Sequence, residues 1–215
     1  MTSTFPTAAH PVPDRAADAG ARFRTDTARH VMTISHDSSG YRHLMFRAPD
    51  TNFDWYELLT SPGLLTINGD MGTFTFTRDR DDMLGFFLNG RDEARINPPY
   101  WAQKVAAEGR RSTSVQDFGK EEYRAWLVDE FLDVADTLSS DAERADLWAT
   151  VEDTLIGGVT SREEAHWNLD AWDDPRMPLE DWSEYFGGAV FSVHFLWCLW
   201  AIVAGLRQYA AAKQL

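Results

Sequence analysis

One cysteine, Cys198, stands in 215 residues, which excludes an internal disulfide and a thiolate metal cage. Basic side chains are also scarce: 20 Lys and Arg face 34 Asp and Glu, a formal charge of −14. A chain of that sign repels phosphate and anionic lipid at long range, so direct nucleic-acid binding is not expected. No Gly-rich run closes in Lys-Ser or Lys-Thr, and no dinucleotide fingerprint is present, so nucleotide use has no motif support. His-Glu-x-x-His and Gly-x-Ser-x-Gly are missing too, and no catalytic, cofactor or metal-ligating residue is assigned. The first 29 residues lack both an apolar period and the hydrophobic stretch of a secretory signal. Pro6, Pro11 and Pro13 among Ala, Thr and Asp read as a flexible tail, and a cytoplasmic location is the expectation.

What is present is a packed aromatic chain, 44% hydrophobic and 13% aromatic, expected to form a single α+β domain over 30–215. Over 41–77 the clearest signal is period-two alternation. Leu44 and Phe46 alternate with His43, Met45 and Arg47, and Phe74 and Phe76 alternate with Thr73, Thr75 and Thr77. Turn residues punctuate the run at Pro49-Asp50, Ser61-Pro62-Gly63 and Asn68-Gly69-Asp70. An antiparallel meander of three or four strands follows, with its phenylalanine face needing helices to cover it.

Helices are predicted downstream. A short one is expected over 81–88, and another from Tyr100 and Trp101 toward Ala107. From Lys120, the residues Tyr123, Trp126, Leu127, Phe131 and Val134 recur at three and four positions, a single apolar stripe. Ser140 with Glu143 and Ser161 with Glu164 carry the capping-box pattern, and Gly157-Gly158 stops the first of these two helices. Between Glu184 and Arg207, twenty-two positions carry no charge. That length would span a membrane, but Trp197 and Trp200 lie mid-run rather than at interfacial ends, which favours the central packing helix of a core.

The acids are concentrated. From Ser112 to Phe186 there are 20 Asp and Glu against 5 Lys and Arg. Glu122, Asp129, Asp133 and Asp136 fall mostly outside the apolar stripe, and Trp167, Trp172 and Trp182 are apolar anchors near other acids. Such a surface suits a basic protein, including one that normally grips DNA or RNA, because charge steers encounter while buried aromatics hold the complex. The bland alternative is a solvated acidic face serving solubility. An enzyme alternative, a small hydrolase or metal-assisted enzyme, would use Asp70 with one or more of His36, His43 and His166. Buried in its apolar run, Cys198 is expected to be inert.

Tyr41-Arg-His-Leu-Met-Phe46, Trp55-Tyr56, Ser61-Pro-Gly63, Asn68-Gly-Asp-Met-Gly-Thr-Phe74 and the terminal Phe195–Ile202 and Gly205–Tyr209 segments resemble a family of uncharacterised proteins encoded by bacteriophages and prophages. The resemblance implies a phage-associated accessory role in the host cell. It transfers no catalytic residue.

Overall fold

The computed structural model describes residues 4–79, 82–88, 95–109, 114–179, 182–185 and 188–214. In chain order the elements are α1 (Arg15–Asp26), β1 (Val31–Ser38), β2 (Tyr41–Arg47), β3 (Tyr56–Ser61), β4 (Leu64–Gly69), β5 (Gly72–Thr77), α2 (Leu84–Leu88), α3 (Pro98–Ala102), β6 (Val105–Glu108) and β7 (Gln116–Phe118). There follow α4 (Lys120–Ala135), α5 (Asp141–Val151), a π-helical turn (Glu152–Ile156), α6 (Arg162–Asp170), α7 (Trp182–Tyr185), β8 (Ala189–Phe191) and α8 (Val193–Lys213). The protein is α+β, with an antiparallel six-stranded sheet and an apolar C-terminal helix. Instead of the single domain expected over 30–215, the chain divides into two compact units: 14–117 with 191–215, and 1–13 with 118–190. The chain crosses between them within β7 and β8, which form a two-stranded sheet.

The first unit is built on the meander. Its six strands lie in sequence order, β1 to β6, each antiparallel to the next. Register places Leu44 opposite Leu58, Leu58 opposite Ile67 and Ile67 opposite Phe74, so one inward row crosses four strands. All four are fully buried, as the alternation requires. At the β4–β5 hairpin the two loop residues are Asp70 and Met71, flanked by the paired Gly69 and Gly72. Gly72 supplies a φ of 111°, while a Cβ at Gly69 would sit 2.3 Å from the Trp55 carbonyl oxygen. The first glycine is therefore there for close approach and the second for conformation.

Helix α8 covers the inward face. Phe195 meets Phe74 edge to face at 5.2 Å, and a Cβ on Gly205 would lie 2.9 Å from both Leu58 and Phe46. Small size at position 205 lets helix and sheet approach. By length and hydropathy α8 is apolar enough to cross a membrane, yet most of that stretch is buried within this unit. It is apolar around its circumference because α1 covers another side of it.

Two expectations are corrected here. The first concerns the flexible tail over 1–29, in which 15–26 form α1, capped by the Asp14 carboxylate accepting from the Ala17 amide and burying Ala19, Gly20 and Phe23. Trp197 donates to Asp26 at 3.0 Å, Trp200 donates to the Ala16 carbonyl at 2.9 Å, and Gly20 leaves room for the Trp200 ring. Phe5, which belongs to the helical unit, packs on Phe131 of that same unit, and Met1–Ser3 lie outside the described residues. The second correction is at 100–107, where the helix ends at Ala102 and β6 follows. Pairing of Val105 with Phe76 and Ala107 with Thr75 extends the sheet edge and overrides the helix preference of the alanines. The helix expected over 81–88 appears as α2, with Asp81 outside the described residues.

The second unit is helical. Its core gathers Tyr123, Leu127 and Phe131 from α4, Leu147, Trp148 and Val151 from α5, and Ala165 and Leu169 from α6. Ser161 and Glu164 form the full reciprocal capping box. Ser140 caps α5 through the Glu143 amide, but the Glu143 carboxylate accepts from Ser139, one residue earlier than the motif implies.

Candidate protein-recognition site

Glu122, Asp129 and Asp133 on α4 and Asp136 at its C-cap are separated by seven, four and three positions, which puts them on one helical face. Asp129, Asp133 and Asp136 are exposed and Glu122 is half-buried. Beside them, burial raises the Glu130 carboxyl above its ordinary range, and the nearby charges of Asp133 and Asp129 add to the shift. The helical unit carries 19 acidic against 5 basic residues, net −14, and the sheet unit 15 against 15. All of the chain's net charge therefore belongs to one unit. Ser112 and Phe186, the ends of the acidic region read from sequence, lie outside the described residues.

The tryptophans separate into two kinds. Trp167 on α6 is 78% exposed, a large apolar surface one turn from Glu163, Glu164 and Asp170. Trp172 and Trp182 are half-buried against the helical core and are therefore partly structural. The Trp172 indole donates to the Met177 carbonyl at 2.7 Å, which folds residues 172–177 back on themselves, while Met177 and Leu179 are buried as anchors. Trp182 packs on the His166 ring at 4.8 Å.

Trp172 and Trp182, but not Trp167, line an open pocket of about 440 Å³. Trp172, Trp182, Leu169 and Leu179 give it apolar walls, with Pro175 and Pro178 stiffening the loop. Asp170, Asp173 and Asp174 give it charge. Arg176 grips Asp174 through both carboxylate oxygens, Nε to Oδ1 at 3.0 Å and Nη2 to Oδ2 at 2.7 Å, and reaches Asp146 at 2.8 Å. That guanidinium holds the Asp174 carboxyl below the usual aspartate range. Among the described residues, Asp170 and Asp173 have no ion pair.

The groups of the enzyme alternative are dispersed. His36 and His43 face each other across β1 and β2, Asp70 occupies the β4–β5 hairpin, and His166 belongs to the helical unit. His43 Nε2 and Glu57 Oε2 lie 2.6 Å apart, and Glu57 in turn accepts from Asn68, which accepts from Thr73. This polar chain lies on the half-buried side of the sheet, and sequence reasoning missed it although all four residues occupy outward-alternating positions. No group of three or more His, Cys, Asp or Glu able to hold a metal occurs among the described residues. Cys198 is buried in α8, and burial pushes its thiol pKa well up.

Comparison of the chain with known protein families, curated proteins and solved structures finds no match.

Proposed function

We propose that the protein is a noncatalytic, phage-associated accessory protein of the host cytoplasm that recognises a basic protein through its acidic helical unit, with nucleic-acid mimicry as the mode. The observation that carries this reading is the confinement of all net charge to one unit, where the Asp129, Asp133 and Asp136 stripe is exposed. A surface of this kind accelerates encounter with a cationic partner and competes with phosphate for it. Scattered rim charge does not give a long-lived complex by itself. The exposed Trp167 and the tryptophan-lined pocket supply apolar contact on the same unit.

The test is competition. A basic nucleic-acid-binding protein retained by the immobilised full chain should be released by duplex DNA. It should also be retained poorly by a variant with Glu122, Asp129, Asp133 and Asp136 all changed to Lys. Retention indifferent to both would overturn the reading.

A further inference from the structure

The pocket on the helical unit has a composition that selects among basic side chains. Two indoles, two prolines and two leucines form its walls, and three aspartates border it. At about 440 Å³ it falls in the size range of small-ligand pockets, roughly 300–1,000 Å³. A carboxylate-rich rim disfavours an anion, and a purely apolar ligand would leave the Asp170 and Asp173 carboxylates without a partner. A cation with a flat apolar face satisfies both parts. Guanidinium stacks on indole and forks onto carboxylate oxygens, whereas ammonium is a strongly hydrated point charge.

The chain itself contains the pairing. Arg176 already satisfies Asp174 bidentately, but the unit has no second arginine on Asp170 or Asp173 among the described residues. We propose that the pocket lined by Trp172 and Trp182 receives an arginine side chain of the basic partner, its guanidinium paired with Asp170 and Asp173. This rests on the protein-recognition reading and narrows it to one residue type.

The experiment titrates the full chain with acetyl-Gly-Arg-Gly-amide, the lysine equivalent and the citrulline equivalent. It follows the indole N–H resonances of Trp172 and Trp182 by NMR, assigned with Trp172→Phe and Trp182→Phe. The arginine peptide should shift both resonances saturably, with lysine at least about fivefold weaker and citrulline without effect. The double variant Asp170→Asn/Asp173→Asn alters exposed side chains and should weaken the arginine response about tenfold. Asp153→Asn, at an exposed acid of the π-helical turn outside both the α4 stripe and the pocket, should leave it unchanged. Equal responses to arginine and citrulline, or none at these indoles, would overturn the assignment. It would then fail alone if the α4 stripe still retained a basic protein. A full chain that binds the arginine peptide here but retains no basic protein would keep the pocket and overturn the wider reading.

Discussion

The sheet unit and the helical unit solve the same packing problem with opposite surfaces. The sheet unit balances 15 acids with 15 bases and buries its largest rings, Phe46, Phe74, Phe76, Phe195 and Trp197, around one central helix. The helical unit has a comparable aromatic core in Tyr123, Phe131 and Trp148, yet carries 14 uncompensated negative charges outside it. Self-repulsion works against a compact state, so such an excess lowers stability unless something else is gained. The difference teaches that the exposed α4 acids are separable from the fold, unlike Glu164, which caps α6, and Asp174, which Arg176 grips. Changing the core should move stability with little dependence on salt, and changing the acids should move association and its salt dependence.

The largest expected effect breaks the sheet unit. Trp197 is fully buried, meets Phe23 at 5.1 Å and Tyr56 at 5.7 Å, and hydrogen-bonds Asp26. Trp197→Ala should destabilise this unit by about 3–5 kcal/mol, the usual range for truncating a buried large aromatic. Residue-resolved hydrogen exchange on β2–β5 would measure it. A loss that changed greatly between low and high salt would break the distinction drawn here.

Next is the charge reversal on α4. Replacing Glu122, Asp129, Asp133 and Asp136 by Lys takes the helical unit from −14 to −6. Association with a basic partner should slow by about tenfold at low ionic strength, with the gap closing as added salt shortens the Debye length to roughly 8 Å at 0.15 M. Stopped-flow association across a salt series reads both quantities. Exchange protection in the last turn of α4 should hold or rise, because Asp133 and Asp136 no longer sit at the negative end of the helix dipole, while in the first turn it should fall with the loss of Glu122.

How much of this was legible depends on whether the chain's local pattern coincided with its tertiary role. The strands β2–β5 were readable because Leu44, Phe46, Phe74 and Phe76 alternate with less buried, mostly polar neighbours across a sheet with two unlike faces. The α4 stripe and the Ser161–Glu164 cap were readable because a helix writes its period and its first turn into sequence. Strand β1 was not, since it is an exposed edge whose residues need no alternation. Helix α1 was missed because its buried face is made of Ala19, Gly20 and Phe23, and Gly20 makes sense only once Trp200 lies against it. The concentration of acids was visible as a run. The pocket was not, because Trp172 and Trp182 line it only after the loop closes through Met177.

A smaller test acts on the second unit's local structure without altering its charge. Ser161 accepts from the Glu164 amide at 3.2 Å, and Glu164 accepts from the Ser161 amide at 3.1 Å. Ser161→Ala removes one arm of that exchange and should cost about 1 kcal/mol. The loss should appear as faster exchange in the first turn of α6. Because α6 carries Leu169 and Asp170 to the pocket, the variant also reports whether the pocket's shape depends on that cap.

The smallest effect is in acid, where two carboxyl groups of the helical unit shift in opposite directions. Glu130 is raised by burial, so its ionised form is disfavoured in the folded state, and lowering the pH from neutral through its folded value relieves that penalty. Asp174 is lowered by Arg176, so its contribution is present above the ordinary value of 3.8 and is lost as the pH falls through the still lower folded value. Protection in the helical unit should therefore rise slightly as the pH is lowered toward the ordinary glutamate value of 4.5 and fall again below the ordinary aspartate value of 3.8, each change under about 1 kcal/mol for these partly exposed groups. Glu130→Gln should flatten the upper limb only, and Asp174→Asn should shrink the lower limb only, leaving there the share of Glu164, whose carboxyl is held low by the amides and hydroxyl of Thr160 and Ser161. Hydrogen exchange corrected for its intrinsic pH dependence separates the two. If both variants flattened the same limb, the charges on α4 and those at the pocket would be acting as one field rather than as two local sites.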